Sequence, residues 1–258
     1  MAPIKKVITL ILILSSFCCW SQFKTYTEVG VMAGPVFFQS DFGERGNFEN
    51  FYKNNGYNLG VYVYLTPEDC CGPYSSRSGY KKYFKLRFEF SFMKSELKHF
   101  GQYVAPERKN LFANQLRGMR GSVTAGNLGL QIEYYPWKTD DYNRGEKLSP
   151  YISLGTVASY YNSKVYSLFA PFGTPLSTPE KYFYNGYRND SGIVASVTLG
   201  AGARYKVADS HALVVDTRVQ AYFSDWVDGL NPNRRIYKEN KYTDWSTAIN
   251  IGYIYYLD

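Results

Sequence analysis

Residues 84–92 read Phe84-Lys85-Leu86-Arg87-Phe88-Glu89-Phe90-Ser91-Phe92. Apolar and polar side chains alternate without a break, and successive side chains of a β-strand point to opposite faces. The run is therefore a strand with one greasy and one ionised face. Working outward, the same alternation recurs over 123–135, where Leu128, Leu130, Ile132 and Tyr134 oppose Asn127, Gln131, Glu133 and Tyr135. It recurs over 212–223, where Leu213, Val215, Val219 and Phe223 oppose Asp216, Arg218 and Gln220. Weaker versions occupy 26–38 (Val29, Val31, Ala33 against Glu28, Gly30, Met32, Gly34) and 57–65 (Leu59, Val61, Val63, Leu65 against Asn58, Gly60, Tyr62, Tyr64). Segments 151–165, 193–206 and 245–257 complete a set of eight. An even number of strands, each near the roughly 9–11 residues that cross a bilayer at a tilt, fits a transmembrane barrel.

Soluble barrels and β-sandwiches alternate too, so the choice rests on further features. The chain holds 26 Tyr, 17 Phe and 4 Trp yet has negative mean hydropathy, as expected where each strand has one apolar and one wet face. Aromatics gather at strand ends (Phe37, Phe38, Tyr57, Tyr134, Tyr135, Trp137, Tyr160, Tyr161, Tyr222, Phe223, Trp245, Tyr255, Tyr256), as in the interfacial girdles of membrane barrels. The fold expected is all-β, an eight-stranded antiparallel up-and-down transmembrane β-barrel.

The N-terminal end agrees. Lys5 and Lys6, the apolar run 7–14 and the small residues around Cys19-Trp20-Ser21 have the layout of a secretory signal peptide, with 1–21 removed and 22–258 forming the barrel domain. A lipid-modified Cys18 or Cys19 is the alternative, disfavoured by Phe17 where a small residue is expected. No segment supplies the roughly 18 consecutive apolar residues of a spanning helix. Without Lys5 and Lys6, 27 of the 29 Lys and Arg face 22 Asp and Glu, but the excess is scattered rather than striped, which excludes nucleic-acid binding by a basic surface. Cys70 and Cys71 are the only cysteines beyond the signal segment and are adjacent, so no disulfide framework is expected.

The odd connections (39–56, 97–119, 166–191, 224–243) are long and rich in Gly, Asn, Pro and charge, and the even ones (66–82, 136–149, 207–211) are shorter. Short turns of this class face the periplasm, which places both termini there and the long loops outside. The 66–82 turn is long for its side; with Cys70, Cys71, Tyr74 and Arg77 it is a candidate contact point, although its composition reads more readily as a plain Gly/Pro/Ser turn.

Side chains fill an eight-stranded barrel. Glu28, Glu89, Glu133 and Asp216 are therefore expected to pair inside it with Lys85, Arg87, Arg204 and Arg218, since an unpaired charge there costs several kcal/mol. Small residues such as Gly30, Gly60 and Gly129 make room for them. Gly200-Ala201-Gly202 precedes no helix pattern and is no phosphate loop.

Enzymatic and metal readings find little support. His99 and His211 fall at opposite ends of the barrel, and His99 near Ser95 and Glu96 is the sole candidate for an acyl-hydrolase site. No spacing suggests a metal; Asp140-Asp141 reads as a solvated turn. Neither cofactor nor metal is expected.

Glu28-Val29-Gly30-Val31-Met32-Ala33-Gly34-Pro35, followed by Gly56-Tyr57-Asn58-Leu59-Gly60, resembles the first hairpin of the PorG-like outer-membrane barrels of Bacteroidota. Arg117–Arg120 leading into Gly126-Asn127-Leu128-Gly129-Leu130-Gln131-Ile132-Glu133-Tyr134 is similar to that family's Arg-containing loop and fourth strand. Phe223-Ser224-Asp225-Trp226-Val227-Asp228-Gly229-Leu230 resembles its loop after strand seven, with Gly229 in place of a second acidic residue. Asn250, Gly252, Tyr255 and Leu257 match the terminal signal read by barrel assembly machinery, although Asp258 replaces the usual aromatic end.

The resemblance implies a cell outer membrane location, with outer-membrane lipid and the assembly machinery as partners. It also implies a link to type IX secretion or gliding motility. The role expected is a non-enzymatic structural or interaction component, with a surface-exposed binding or adhesion barrel, its long loops holding lipopolysaccharide phosphates or glycans, as the alternative.

Overall fold

The computed structural model describes residues 25–44, 46–67, 83–137, 147–237 and 242–257. The signal segment 1–21, Cys70, Cys71, Tyr74, Arg77, Asp140, Asp141 and Asp258 lie outside the described residues.

Eight strands follow one another: β1 Thr25–Gln39, β2 Asn55–Pro67, β3 Phe84–Lys98, β4 Met119–Tyr134, β5 Leu148–Ser167, β6 Ser191–Ala208, β7 His211–Tyr222 and β8 Trp245–Leu257. Each pairs antiparallel with its neighbours, and β8 pairs back onto β1, so the sheet closes without an edge. Closure leaves no open sheet edge, whose backbone polar groups hydrocarbon cannot satisfy. Following the rungs from Leu65 through Leu86, Ile132, Leu154, Leu199, Val219, Thr247 and Phe37 leads back to Asn55. That is a stagger of ten residues along β2. Eight strands with this stagger tilt by roughly 40°, and the interior is just wide enough for side chains to fill.

Each strand's apolar parity points outward. Phe90 is 68% exposed, Leu128 67% and Ile251 67%, while Arg87, Glu89 and Glu133 on the opposite parity are at most 1% exposed. A soluble barrel would reverse this arrangement, so the exposed band identifies a membrane-spanning barrel. Among the described residues no helix is long and apolar enough to cross a membrane.

Two expectations change. First, Tyr161 and Tyr256 pack against the interior clusters, and Phe38, Tyr135 and Tyr222 do not belong to the girdles either: these last three are fully buried in the interior. Alternation decides this, because each follows or precedes an outward aromatic (Phe37, Tyr134, Phe223) and a strand cannot place both on one face. Second, several strands continue past the membrane. β3 runs to Lys98 and β4 begins at Met119, absorbing the ends of a segment whose loop-like composition suggested an earlier break. β5 is the longest at 20 residues. The wall is therefore uneven, standing tallest along β3–β6 at the loop end.

That end is closed by folded loops carrying helices α1 (Phe48–Lys53), α2 (Leu111–Gly118) and α3 (Glu180–Phe183). Asn47 caps α1 by accepting from the amides of Glu49 and Asn50, and Asn110 caps α2 by accepting from Ala113 N. Each side chain supplies an acceptor that the first helical turn lacks.

Candidate functional site

The interior is layered along the barrel axis. Nearest the termini, Glu28 accepts from Lys85 Nζ and from Arg204 Nη1. Arg204 Nη2 reaches Glu133 Oε2 at 2.7 Å, and Arg87 Nη1 sits 3.0 Å from both Glu133 Oε1 and Asp216 Oδ1. Arg218 pairs with Glu89. The structure thus brings all eight of the charges expected in the lumen into one network drawn from β1, β3, β4, β6 and β7, with four acids matching four bases. Burial of such pairs is tolerable only when the remaining donors and acceptors are also used.

Neighbours supply part of those bonds, while among the described residues Arg87 Nε, Arg204 Nε and the Tyr62 and Tyr64 hydroxyls make no hydrogen bond. Tyr135 Oη donates to Glu133 Oε2 at 2.6 Å, Tyr151 Oη to Asp216 Oδ1 at 2.7 Å and Gln131 Nε2 to Glu89 Oε2 at 2.7 Å. The Arg204 guanidinium lies 4.1 Å from the Tyr64 ring centroid, and Arg87 5.5 Å from that of Tyr62, both in cation–π range. Strand parity read from sequence places Tyr62 and Tyr64 inside, but not which charge each serves, because those contacts cross from one strand to another.

Above the ions lies a neutral polar belt. Ser159 Oγ donates to Asn127 Oδ1 (2.7 Å), Asn127 Nδ2 to Ser91 Oγ (3.1 Å), Gln220 Nε2 to Ser196 Oγ (2.9 Å) and Asn58 Nδ2 to Asn250 Oδ1 (3.1 Å). Above this belt the interior turns apolar: Val36, Phe38, Met93, Leu97, Val123, Val165 and Tyr222 pack with Phe42, Leu116, Tyr182, Val227 and Leu230 from the loops. Charges fill the lumen at the terminal end only. The loop end is a hydrophobic plug that continues into the cap.

The segment after β7 threads this cap. Asp228, fully buried, accepts from Asp41 N at 3.0 Å and Leu230 N at 2.7 Å, and Asp244 Oδ2 accepts from Asp228 N at 3.1 Å. Gly229 has φ +85°, a conformation that a side chain resists, and its carbonyl accepts from Arg188 N at 2.8 Å. Glycine at this position thus has a backbone reason. Burial and the neighbouring Asp41 raise the Asp228 carboxyl well above its ordinary range. Asp41 and Asp244 give no sequence signal, being single acids in polar loops.

The hydrolase candidate does not assemble. Ser95 and His99 share the inward parity four residues apart, roughly 13 Å along an extended chain, and Glu96 faces outward. His99 is buried, its ring centroid 5.1 Å from that of Phe42, with Nδ1 accepting from Gly43 N at 2.9 Å. Burial, with Lys181 and Arg120 nearby, lowers its pKa to about 3. It is a neutral packing residue of the cap. His211, at the other end, bonds Tyr253 Oη. Among the described residues no group of His, Cys, Asp and Glu is arranged to hold a metal.

In the last strand Asn250 faces the lumen, while Tyr255 and Leu257 face outward at the terminal rim. Gly252 has a packing role of its own: a Cβ there would stand 2.3 Å from Met32 Cγ and 2.4 Å from Val31 O across the β1–β8 seam.

No family model matches the sequence, and no curated protein matches it. Among solved structures the chain is similar to a major outer membrane protein from Thermus thermophilus, at 15% identity and TM-score 0.49, over 90% of this chain and 99% of that one. It is similar to Neisserial surface protein A at 11% identity and TM-score 0.41, over 90% and 97% of the two chains. The attachment invasion locus protein Ail of Yersinia pestis matches at 11% identity and TM-score 0.40, over 91% and 99%. Likeness at this level concerns the fold alone.

Proposed function

We propose that this protein is a non-conducting, non-enzymatic outer-membrane barrel that acts as a structural or interaction component. The observation that carries the proposal is the lumen: a charge-balanced ionic layer, a polar belt and an apolar plug succeed one another, and the described residues assemble no catalytic set. What such a molecule offers to other molecules is its surface.

In this reading both termini and the 66–82 turn face the periplasm, and the turn, through Cys70, Cys71, Tyr74 and Arg77, contacts a partner of the type IX secretion or gliding machinery. The resemblance of the first hairpin and of the loop after β7 to PorG-like barrels supports that assignment. Asn250, Gly252, Tyr255 and Leu257 serve as the signal for the barrel assembly machinery. Capture from detergent-solubilised membranes of the native host tests the partner. The whole chain is expected to retain secretion or gliding proteins, and a 66–82 deletion to lose them while keeping heat-modifiable mobility. Retention by the deletion variant would refute the turn contact; capture of no such protein by the whole chain would refute the machinery assignment. Steady conductance through the purified barrel in planar bilayers would refute the sealed lumen.

A further inference from the structure

We propose that the outward face of β3–β5, where the wall rises above the apolar band, is a binding surface for the phosphorylated headgroup of an outer-leaflet glycolipid. On β3 the outward positions run Phe84, Leu86, Phe88, Phe90 and Phe92, then change character to Lys94, Glu96 and Lys98. On β4 the apolar positions Tyr134, Ile132, Leu130 and Leu128 give way to Thr124, Ser122 and Arg120, and on β5 Tyr160 gives way to Asn162 and Lys164.

Register brings the cations together. Lys98 stands directly opposite Arg120, Lys94 opposite Thr124, and Ser122 is flanked by Glu96 on one side and Lys164 on the other. At strand spacings of about 4.8 Å, the Cα atoms of Lys98, Arg120 and Lys164 lie within roughly 12 Å of one another. The stems of Lys98 and Lys164 are long enough to extend toward Arg120.

Four cations and one carboxylate on this face leave a local charge of +3. Like charges directly opposite each other in a sheet are destabilising, yet Lys98 faces Arg120. Among the described residues, Lys94, Glu96, Lys98 and Lys164 make no ion pair, and Arg120 Nη1 bonds only the carbonyls of Arg117 and Met119, at 2.6 and 2.7 Å. The face is an uncompensated basic patch.

Height selects the occupant. At a rise of 3.3 Å per residue and a tilt of roughly 40°, Lys94 stands about 5 Å and Lys98 about 15 Å above Phe92 along the membrane normal. Their stems are long enough to snorkel along the wall. A lipid whose acyl chains lie against Phe90, Leu128 and Leu154 therefore carries its headgroup into this patch. Anchoring by the chains and pairing by the phosphates act on one molecule, which distinguishes a lipid-borne phosphate from a free one. The site rests on the proposed orientation, with the loop end facing outward, but lies on the strands and is independent of any partner bound at the turns.

The test uses the full mature barrel, purified in mild detergent and incubated with diphosphoryl lipid A, its dephosphorylated form or inorganic phosphate. Bound lipid is counted by native mass spectrometry. The expected result is retention of the diphosphoryl form, at least tenfold weaker retention of the dephosphorylated form, and no competition by millimolar inorganic phosphate. The triple variant Lys94→Gln, Lys98→Gln, Lys164→Gln should lose retention to the same extent while keeping heat-modifiable mobility. Lys53→Gln, which removes a cation from α1, should not. Equal retention of both lipid forms, unchanged retention by a folded triple variant, or full competition by inorganic phosphate would each overturn the proposal. Should the triple variant fail to fold, the comparison of the two lipid forms on the unaltered protein decides alone.

Discussion

Nearest the termini the barrel is filled by Glu28, Lys85, Arg87, Glu89, Glu133, Arg204, Asp216 and Arg218 with the tyrosines that serve them. Toward the loops the same cylinder is filled by Val36, Phe38, Met93, Leu97 and Tyr222. Both fillings are buried, but they depend on different quantities. In the ionic half, stability rests on matched partners, because a charge left alone in a dry interior is far costlier than the pair. In the apolar half it rests on volume, as in any soluble core. The apolar half also gives the long loops something to fold against, so they form a cap with a core of its own.

The contrast is sharpened first by removing a charge. Arg87→Met leaves Glu133 and Asp216 without a shared partner and is expected to cost about 3–5 kcal/mol in urea unfolding from lipid vesicles. Adding Glu133→Gln and Asp216→Asn should restore most of that loss. A single substitution costing under about 1 kcal/mol would show the network to be wet rather than sealed.

Removing volume from the other half comes next. Leu97→Ala should cost roughly 3 kcal/mol through the cavity it leaves and speed proteolysis in the cap, without affecting the terminal end. Met93→Leu, which conserves volume, should cost less than about 1.5 kcal/mol. Equal effects of the two would contradict a close-packed plug.

Gly252→Ala probes the seam between β1 and β8. Contact with Val31 O and Met32 predicts a penalty of about 1–3 kcal/mol, visible as poorer refolding of purified protein into detergent. A role confined to assembly recognition predicts normal refolding of that protein and failure only in cells.

The cap responds to pH. Burial holds the His99 pKa at about 3 against an ordinary 6.5, so the folded state binds fewer protons than the unfolded chain between those values. Its contribution is complete above pH 6.5 and is lost as pH falls toward 3. Asp228, raised by burial, has the opposite sign: its contribution is complete below the ordinary carboxylate value and is lost as pH rises through its own. Comparing wild type with His99→Gln isolates the histidine, since Asp228 is common to both. Protection of the cap from protease should fall faster with acidification in wild type, and parallel curves would show His99 to be solvated.

How far these halves could be read from the sequence differs. In the ionic half, strict alternation such as Lys85-Leu86-Arg87-Phe88-Glu89 places each charge on a face, and balance between acids and bases follows. The pairing of Arg204 with Glu28 and Glu133 is a matter of stagger between strands far apart in sequence, which local pattern does not encode. In the apolar half the alternation fails, because Phe37 and Phe38 give no contrast that marks the inward side, and Leu97 beside Lys98 gives the reverse of the contrast lower on β3. The cap was hidden for a similar reason: Asp228 and Asp244 look like solvated loop acids until the backbone amides they accept from, that of Asp41 among them, are brought to them. The strand ends of β3 to β5 were obscured by polar outward residues, the same residues that form the basic wall.

The direction in which the phenylalanine face of β3 points is tested most directly by a single nitroxide at Phe90→Cys in a chain carrying Cys70→Ser and Cys71→Ser, reconstituted in vesicles. High collision with oxygen and low collision with a water-soluble nickel chelate is the predicted result, as expected for a probe in hydrocarbon. Protection from both agents, with the label immobilised inside a folded protein, would contradict the account.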